Sequence, residues 1–192
     1  MRVNLGCGNK ILPGWVNLDK HNIYAVDLIH DLEKFPYPFP DNSCREILMN
    51  HVLEHLGSDV NVFNGVIREL YRISAHNARL YINVPHPRHD NFLSDPTHVR
   101  PITPDLLRLY DQSLNKKWEK SNVANTPLGL ILDVDFTLES THFVLEDEYQ
   151  NKVEQGLLLD DEVWALISER NNIAREVQIT IRAKKAPVMG GN

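Results

Sequence analysis

The stretch Arg2-Val3-Asn4-Leu5-Gly6-Cys7-Gly8-Asn9 decides how the rest of the chain is read. Alternating residues run as a short strand into a glycine pair. Without a Cβ, glycine lets the backbone turn sharply and approach a ligand closely. In a parallel α/β sheet, ligands sit outside the carboxyl ends of the strands. About a dozen residues on, Trp15-Val16-Asn17-Leu18-Asp19 alternates again and ends on an acid. A carboxylate there can accept hydrogen bonds from both ribose hydroxyls. A Gly-x-Gly pair alone most often marks only a tight turn; with the acid at the tip of the next strand it points to a nucleoside. A third apolar run, Ala25 to Leu32, carries Asp31 near its end. Asp31 can accept from an adenine amino group, and the Leu32 backbone N–H can meet a ring nitrogen.

Outward from this core, Phe35 to Asn42 holds Pro36, Pro38 and Pro40 and is read as a loop. Glu46 to Met49 reads as a fourth strand, ending in Asn50 and His51. From Asp59 to Ile73 the apolar positions fall on one helical face. Leu80 to Val84 is a fifth strand, and Pro85 to Pro101 a long polar loop. Thr103 reads as an N-cap, with Pro104 at the first position of a helix running to about Asp111. Leu130 to Val144 reads as a long strand or bent pair, Asp160 to Asn171 as a helix with Val163, Trp164 and Ile167 on one side, and Glu176 to Ala183 as a closing strand. Strands alternating with helices give an α/β fold with a mostly parallel sheet, and the last two strands suit an antiparallel C-terminal edge. A single domain is expected over residues 1–186, with a flexible, Gly-rich tail from Pro187 to Asn192.

The 192 residues suffice for one domain with a full core. Two cysteines, Cys7 and Cys44, are too few for a disulfide framework. A net charge of −6 and the absence of a long Lys/Arg cluster argue against a nucleic-acid partner. No apolar run reaches the roughly 18 residues of a membrane span, and no leader pattern precedes the first strand. A cytoplasmic protein with a small-molecule substrate and no membrane partner is expected. Trp15, Trp118 and Trp164 are read as core or semi-buried anchors.

The order Val3-Asn4-Leu5-Gly6-Cys7-Gly8, Pro13-Gly14-Trp15-Val16-Asn17-Leu18-Asp19, His30-Asp31-Leu32, Phe39-Pro40-Asp41-Asn42-Ser43 and His51-Val52-Leu53-Glu54-His55-Leu56 resembles the class I S-adenosylmethionine-dependent methyltransferases. It is most similar to small-molecule members with the His-Val-Leu-Glu-His stretch, over residues 1 to about 85. The resemblance implies a Rossmann-like methyltransferase sandwich and S-adenosylmethionine as cofactor. It puts the methionine part against Gly6, Cys7 and Gly8, ribose on Asp19, and adenine beside Asp31 and Leu32. Asn50 and His51 would border the methionine end and the substrate.

The chain departs from that family in one respect. Only Gly6 to Gly14 separates the first two strands, and only Lys20 to Tyr24 the next two. A crossover with its helix needs at least about 10–12 residues. The first crossover helices are therefore expected to be reduced to turns, leaving one sheet face thinly covered near strands one to three. A partner subunit in a homodimer, or a later segment such as the Asp160 helix, is expected to cover it.

The loop Pro85 to Arg100 holds His86, His89, His98, Asp90, Asp95, Arg88 and Arg100 on the cofactor's rim. The favoured reading is substrate recognition: Arg88 and Arg100 hold an anionic group, and His89 and His98 contact substrate. Metal ligation by His86, His89 and His98 with Asp90 or Asp95 is the less favoured reading, and no metal ligand is assigned. A self-capping loop built on Asp95-Pro96-Thr97 also stays open. His51 and His55 share a helix face, so a metal pair is conceivable. His51 is the better catalytic candidate, while Glu54 and His55 are read as structural. Methyl transfer to a hydroxyl or amine needs a base, and His51 or His86 fits.

The favoured function is methyl transfer to a small-molecule hydroxyl, amine or carboxylate. The rivals are a non-catalytic cofactor-binding subunit and a metal-dependent enzyme centred on the His86–His98 loop. A nicotinamide dehydrogenase is disfavoured, because Ile11 stands where the third glycine of Gly-x-Gly-x-x-Gly belongs.

Overall fold

A computed structural model describes residues 1–185. The expected tail, Pro187 to Asn192, and the boundary at residue 186 lie outside the described residues.

Among the described residues, seven strands form one sheet: β1 (Arg2–Leu5), β2 (Val16–Asp19), β3 (Leu28–Ile29), β4 (Cys44–Asn50), β5 (Ser74–Pro85), β6 (Phe136–Leu145) and β7 (Ala174–Ala183). Their order is β3-β2-β1-β4-β5-β7-β6. Strands β3 to β5 pair in parallel, with Val3 opposite both Val16 and Ile47, and Ile47 opposite Leu80. β7 runs antiparallel to both β5 and β6, so the last two strands make the antiparallel edge. This is the Rossmann-like methyltransferase architecture. The helices are α1 (Val60–Ile73), α2 (Asp90–Leu93), α3 (Pro104–Arg108), α4 (Gln112–Lys120), α5 (Leu128–Leu132), α6 (Asp147–Glu154) and α7 (Asp160–Glu169). No helix among the described residues is long and apolar enough to cross a membrane.

The core forms where α1 meets the sheet. The Asp59 carboxylate caps α1 by accepting from Asn61 N–H. Phe63, Val66, Ile67, Leu70 and Ile73 recur at helical spacing, are buried, and join Val3, Leu5, Ile47, Met49, Leu80 and Ile82 in one cluster. The side chains between these on the strands, among them Arg2, Glu46, Arg79 and Gln178, point to the other face and stay partly or fully exposed. There Glu139 bridges Arg79 at 2.8 Å and Arg182 at 2.9 Å.

No helix joins β1 to β2 or β2 to β3, as expected from the short links. Buried Asn4 and Asn17 do part of the missing helix's work. Asn4 Nδ2 donates to the Lys10 carbonyl (2.8 Å) and to Asn17 Oδ1 (3.0 Å), which also accepts from Leu12 N–H (2.9 Å). Asn17 Nδ2 donates to the Leu12 and Trp15 carbonyls, and Asp27 accepts from both nitrogens of Asn17. The loop's polar backbone groups thus find side-chain partners instead of a helix ladder.

Several expectations need correction. β3 is two residues long, because Asp27 turns back to Asn17 instead of extending the ladder. α5 begins where a strand was expected; Gly129 lies against the Tyr110 backbone, a close approach that any side chain would block. α7 does not cover β1 to β3: its buried Ile167 packs with Leu145, Ile173 and Ala174 in a satellite core beside β6 and β7. Trp164 is no buried anchor but 57% exposed, touching Phe143 edge-on.

Candidate functional site

The carboxyl ends of β1 to β4 open onto a cavity of about 420 Å³. Its wall takes Gly6 and Gly8 from the turn after β1, Asp19 from the tip of β2, Asp31 and Leu32 after β3, and His51 after β4. A larger hollow of about 800 Å³, lined by Met1, Arg2, Ser43 and Arg45, lies at the opposite, amino ends of β1 and β4.

Gly8 has φ +49°, and a Cβ added there would meet nothing within 4 Å. The turn needs glycine for its dihedral and leaves open space above it. Asp19 accepts from Gly8 N–H and His21 N–H, one to each oxygen, both at 2.9 Å. A carboxylate accepts about four hydrogen bonds, so it can still receive two hydroxyls. Asp31 accepts from Glu33 N–H at 3.0 Å. The Leu32 carbonyl accepts from Tyr37 O–H at 2.8 Å, while its N–H makes no hydrogen bond among the described residues. Cys7 is buried on the far side of the turn, facing a smaller hollow with Asn4, Lys10 and Asn50. Burial, reinforced by Asp19, pushes its thiol pKa up.

His51 sits at φ +55°, a left-handed conformation unfavourable for a side-chain-bearing residue. Its amide is held by the Asn83 carbonyl at 2.9 Å. The ring reaches Glu176 through Nε2 (2.9 Å), and Nδ1 lies 3.5 Å from Glu54. Glu54 raises the His51 pKa above the ordinary imidazole value; burial works against this and Glu176 adds to it.

The loop after β5 disperses the residues assigned to it. His86 packs edge-on against Phe143, and its Nδ1 accepts from Arg88 N–H at 3.2 Å. Burial, then Arg88 and His89, push its pKa down. His89 caps α2 by accepting from Asn91 N–H and pairs with Glu146 at 2.9 Å. Arg100 donates to the Gly57 carbonyl at 2.7 Å and lies over the Phe63 ring. Arg88 is exposed, and its guanidinium makes no hydrogen bond or ion pair among the described residues. None of these four lines the main cavity.

His98 takes a different course. The loop folds back so that Val99 and Arg100 N–H both donate to the Glu54 carbonyl, at 2.9 and 3.2 Å. This sets His98 against His55, with ring centroids 4.6 Å apart. His55 and Thr97, not assigned to the site from the sequence, line the cavity, with Glu54 buried beside His55. The only local signal was the four-residue spacing of His51 and His55.

A S-adenosylmethionine-dependent methyltransferase from Archaeoglobus fulgidus is similar at TM-score 0.57 and 15% identity, over 95% of this chain and 85% of that one. Another from Methanosarcina mazei matches at 0.52 and 10%, over 96% and 92%. The [4+2]-cyclase SpnF matches at 0.53 and 12%, over 96% and 74%. No protein-family model and no curated protein sequence matches the chain. At these identities the likeness establishes the fold, and a cyclase among the neighbours makes the reaction a question for the site.

Proposed function

We propose that the chain is a S-adenosylmethionine-dependent methyltransferase acting on a small-molecule hydroxyl, amine or carboxylate. One observation carries this reading: the glycine turn, two carboxylates and His51, from four separate segments, line one cavity at the carboxyl ends of the parallel strands. The residues suit the cofactor's parts. Gly6 and Gly8 give the backbone close approach, Asp19 retains acceptor capacity for ribose hydroxyls, and Asp31 with the free Leu32 N–H offers an acceptor and a donor to adenine. Asn50 lies on the other side of the turn, so its role is indirect.

When bound, the cofactor supplies a methyl group on a positively charged sulfur, which is already activated. The chain then has to align the acceptor, exclude water and remove a proton. His51 lines the cavity and is the base in this reading; His86, off the cavity, is not favoured for that role. Arg88, off the cavity like His86, would hold an anionic group of the substrate only outside it.

Calorimetry with S-adenosylhomocysteine tests the reading. Saturable binding is expected, weakened about 10–100-fold in Asp19→Ala, which removes charged hydrogen bonds worth about 1.5–3 kcal/mol. Absence of binding by the wild-type chain would overturn it.

A further inference from the structure

The buried carboxylate of Glu54 is unexplained by the reading above. Its side chain has no solvent exposure, and among the described residues neither oxygen has a hydrogen-bond partner closer than His51 Nδ1, 3.5 Å from Oε1. A buried, unpaired carboxylate costs several kcal/mol unless something compensates its charge. Oε1 lies 4.0 Å from His55 Nε2 and 4.0 Å from His98 Nε2. The three ligand atoms all fall within 4.8 Å of one another.

The other ring nitrogens decide which way these imidazoles face. His98 Nδ1 lies 2.8 Å from the Phe92 carbonyl, which can only accept, so Nδ1 carries the proton. His55 Nδ1 lies 2.9 Å from Thr97 Oγ1, whose own proton goes to Asp95 Oδ1 at 2.6 Å. Thr97 therefore accepts from His55 Nδ1–H. Both Nε2 atoms are left as acceptors near carboxylates, His55 Nε2 near Glu54 and His98 Nε2 between Glu54 at 4.0 Å and Asp95 Oδ2 at 3.7 Å. His51 Nδ1, 3.5 Å from Oε1, offers the carboxylate one long donor contact; the two Nε2 atoms still face it as acceptors, an arrangement that a proton or a metal ion between them would relieve. Metal-bound histidines characteristically hold their second nitrogen in such a bond, which fixes tautomer and ring orientation.

We propose that Glu54, His55 and His98 bind one divalent first-row transition ion. Two imidazoles and a carboxylate favour such an ion over Mg²⁺ or Ca²⁺, which prefer oxygen shells. Bonds of about 2.0–2.2 Å put neighbouring ligand atoms about 3.3–3.5 Å apart, so small side-chain movements close the shell. Three protein ligands leave at least one position open, as in catalytic rather than structural sites. His55 and Thr97 line the main cavity, so the ion borders it. If the methyl-transfer reading holds, the ion seats a hydroxyl or carboxylate oxygen of the acceptor beside His51; the binding of the ion itself does not depend on that reading. The ligands differ from the set offered by the loop sequence: of His86, His89 and His98, only His98 belongs.

The test is titration of the chelator-treated full chain with Co²⁺, followed by visible absorption, and with Zn²⁺ by calorimetry. One equivalent is expected, with a ligand-field band near the onset of saturation. His98→Ala and Glu54→Gln should each weaken binding at least 100-fold, Thr97→Val about 10–100-fold through the lost His55 support, and His76→Ala not at all. Circular dichroism identifies any variant that fails to fold, and His98→Ala, nearer the surface loop, stands in if Glu54→Gln does. No saturable binding by the wild type, or unchanged affinity in His98→Ala, overturns the site. Cobalt binding without S-adenosylhomocysteine binding would sink the methyl-transfer reading and leave the ion site standing; the reverse result would sink the ion site alone.

Discussion

His51 shows how a single position can trade stability for placement. Its left-handed backbone is unfavourable for any residue with a Cβ, by about 1 kcal/mol. The conformation aims the ring between Glu54 and Glu176. We expect His51→Gly to be more stable than His51→Ala by about 1 kcal/mol in urea unfolding, with both binding S-adenosylhomocysteine nearly as well as wild type. Equal stabilities would show that the backbone carries no strain there. Asp19 was legible in the sequence because it closes a strand whose alternation is plain, and Asp31 because it follows an apolar run. Glu54 was not. Its burial depends on a loop more than forty residues later folding across it, and only then do His55 and His98 meet.

Among the elements, α1 holds the proline-rich loop as well as the core. Glu69 accepts from Tyr37 N–H at 2.6 Å and from Arg72, whose guanidinium also reaches the Tyr37 and Phe39 carbonyls and Asp41. Tyr37 in turn bonds the Leu32 carbonyl, so this staple sets the adenine side of the cavity. Burial alone would raise the Glu69 pKa, but Arg72 and the Tyr37 N–H outweigh it, and the net direction is down from 4.5. A folded pKa below the unfolded one gives stability that is present above the unfolded pKa and lost as pH falls through the folded value. Urea unfolding of the wild type should therefore weaken on acidification below about pH 4.5. Glu69→Ala should cost about 2–4 kcal/mol at neutral pH and flatten that acid limb. An unchanged acid limb would remove Glu69 from the account. The α1 stripe was legible because five apolar residues repeat at helical spacing. α4 was not, since its one buried residue is the polar Asn115, and α5 hides in an apolar run that reads equally well as strand.

For the molecule as a whole, the short links leave a sheet with helices massed on one face. The open face was expected to need a cover. Over β5 to β7 its surface is polar, with Arg79 and Arg182 tied by Glu139 and with Gln178 in solvent, whereas beside β2 and β3 Ile23, Tyr24 and Ile29 are exposed. Burying the polar half gains little hydrophobic free energy, and burying the apolar side chains beside β2 and β3 gains more. A homodimer is therefore expected to use the β2–β3 side: sedimentation at micromolar concentration should show a dimer that Ile29→Lys disrupts and Glu139→Ala leaves intact, and a wild-type monomer would count against it. The parallel order and antiparallel edge were legible from the succession of strands and helices. The polarity of the open face over β5 to β7 could have been read from the same alternation, once the missing helices were recognised.

Those short links also bear on the order in which the chain folds. Val3 meets Val16 and Leu18 meets Leu28 across about a dozen residues each, whereas Ile47 must find Leu80 across α1. Parallel pairing is ordinarily slow because a long loop must close before any contact rewards it. Here β1 to β3 escape that delay, so amide protection in a pulse-labelling experiment should arise in them before it spreads to β5 and β7. The glycine turn and its two acids would then be assembled as a nascent half-pocket while the C-terminal strands are still searching for their register.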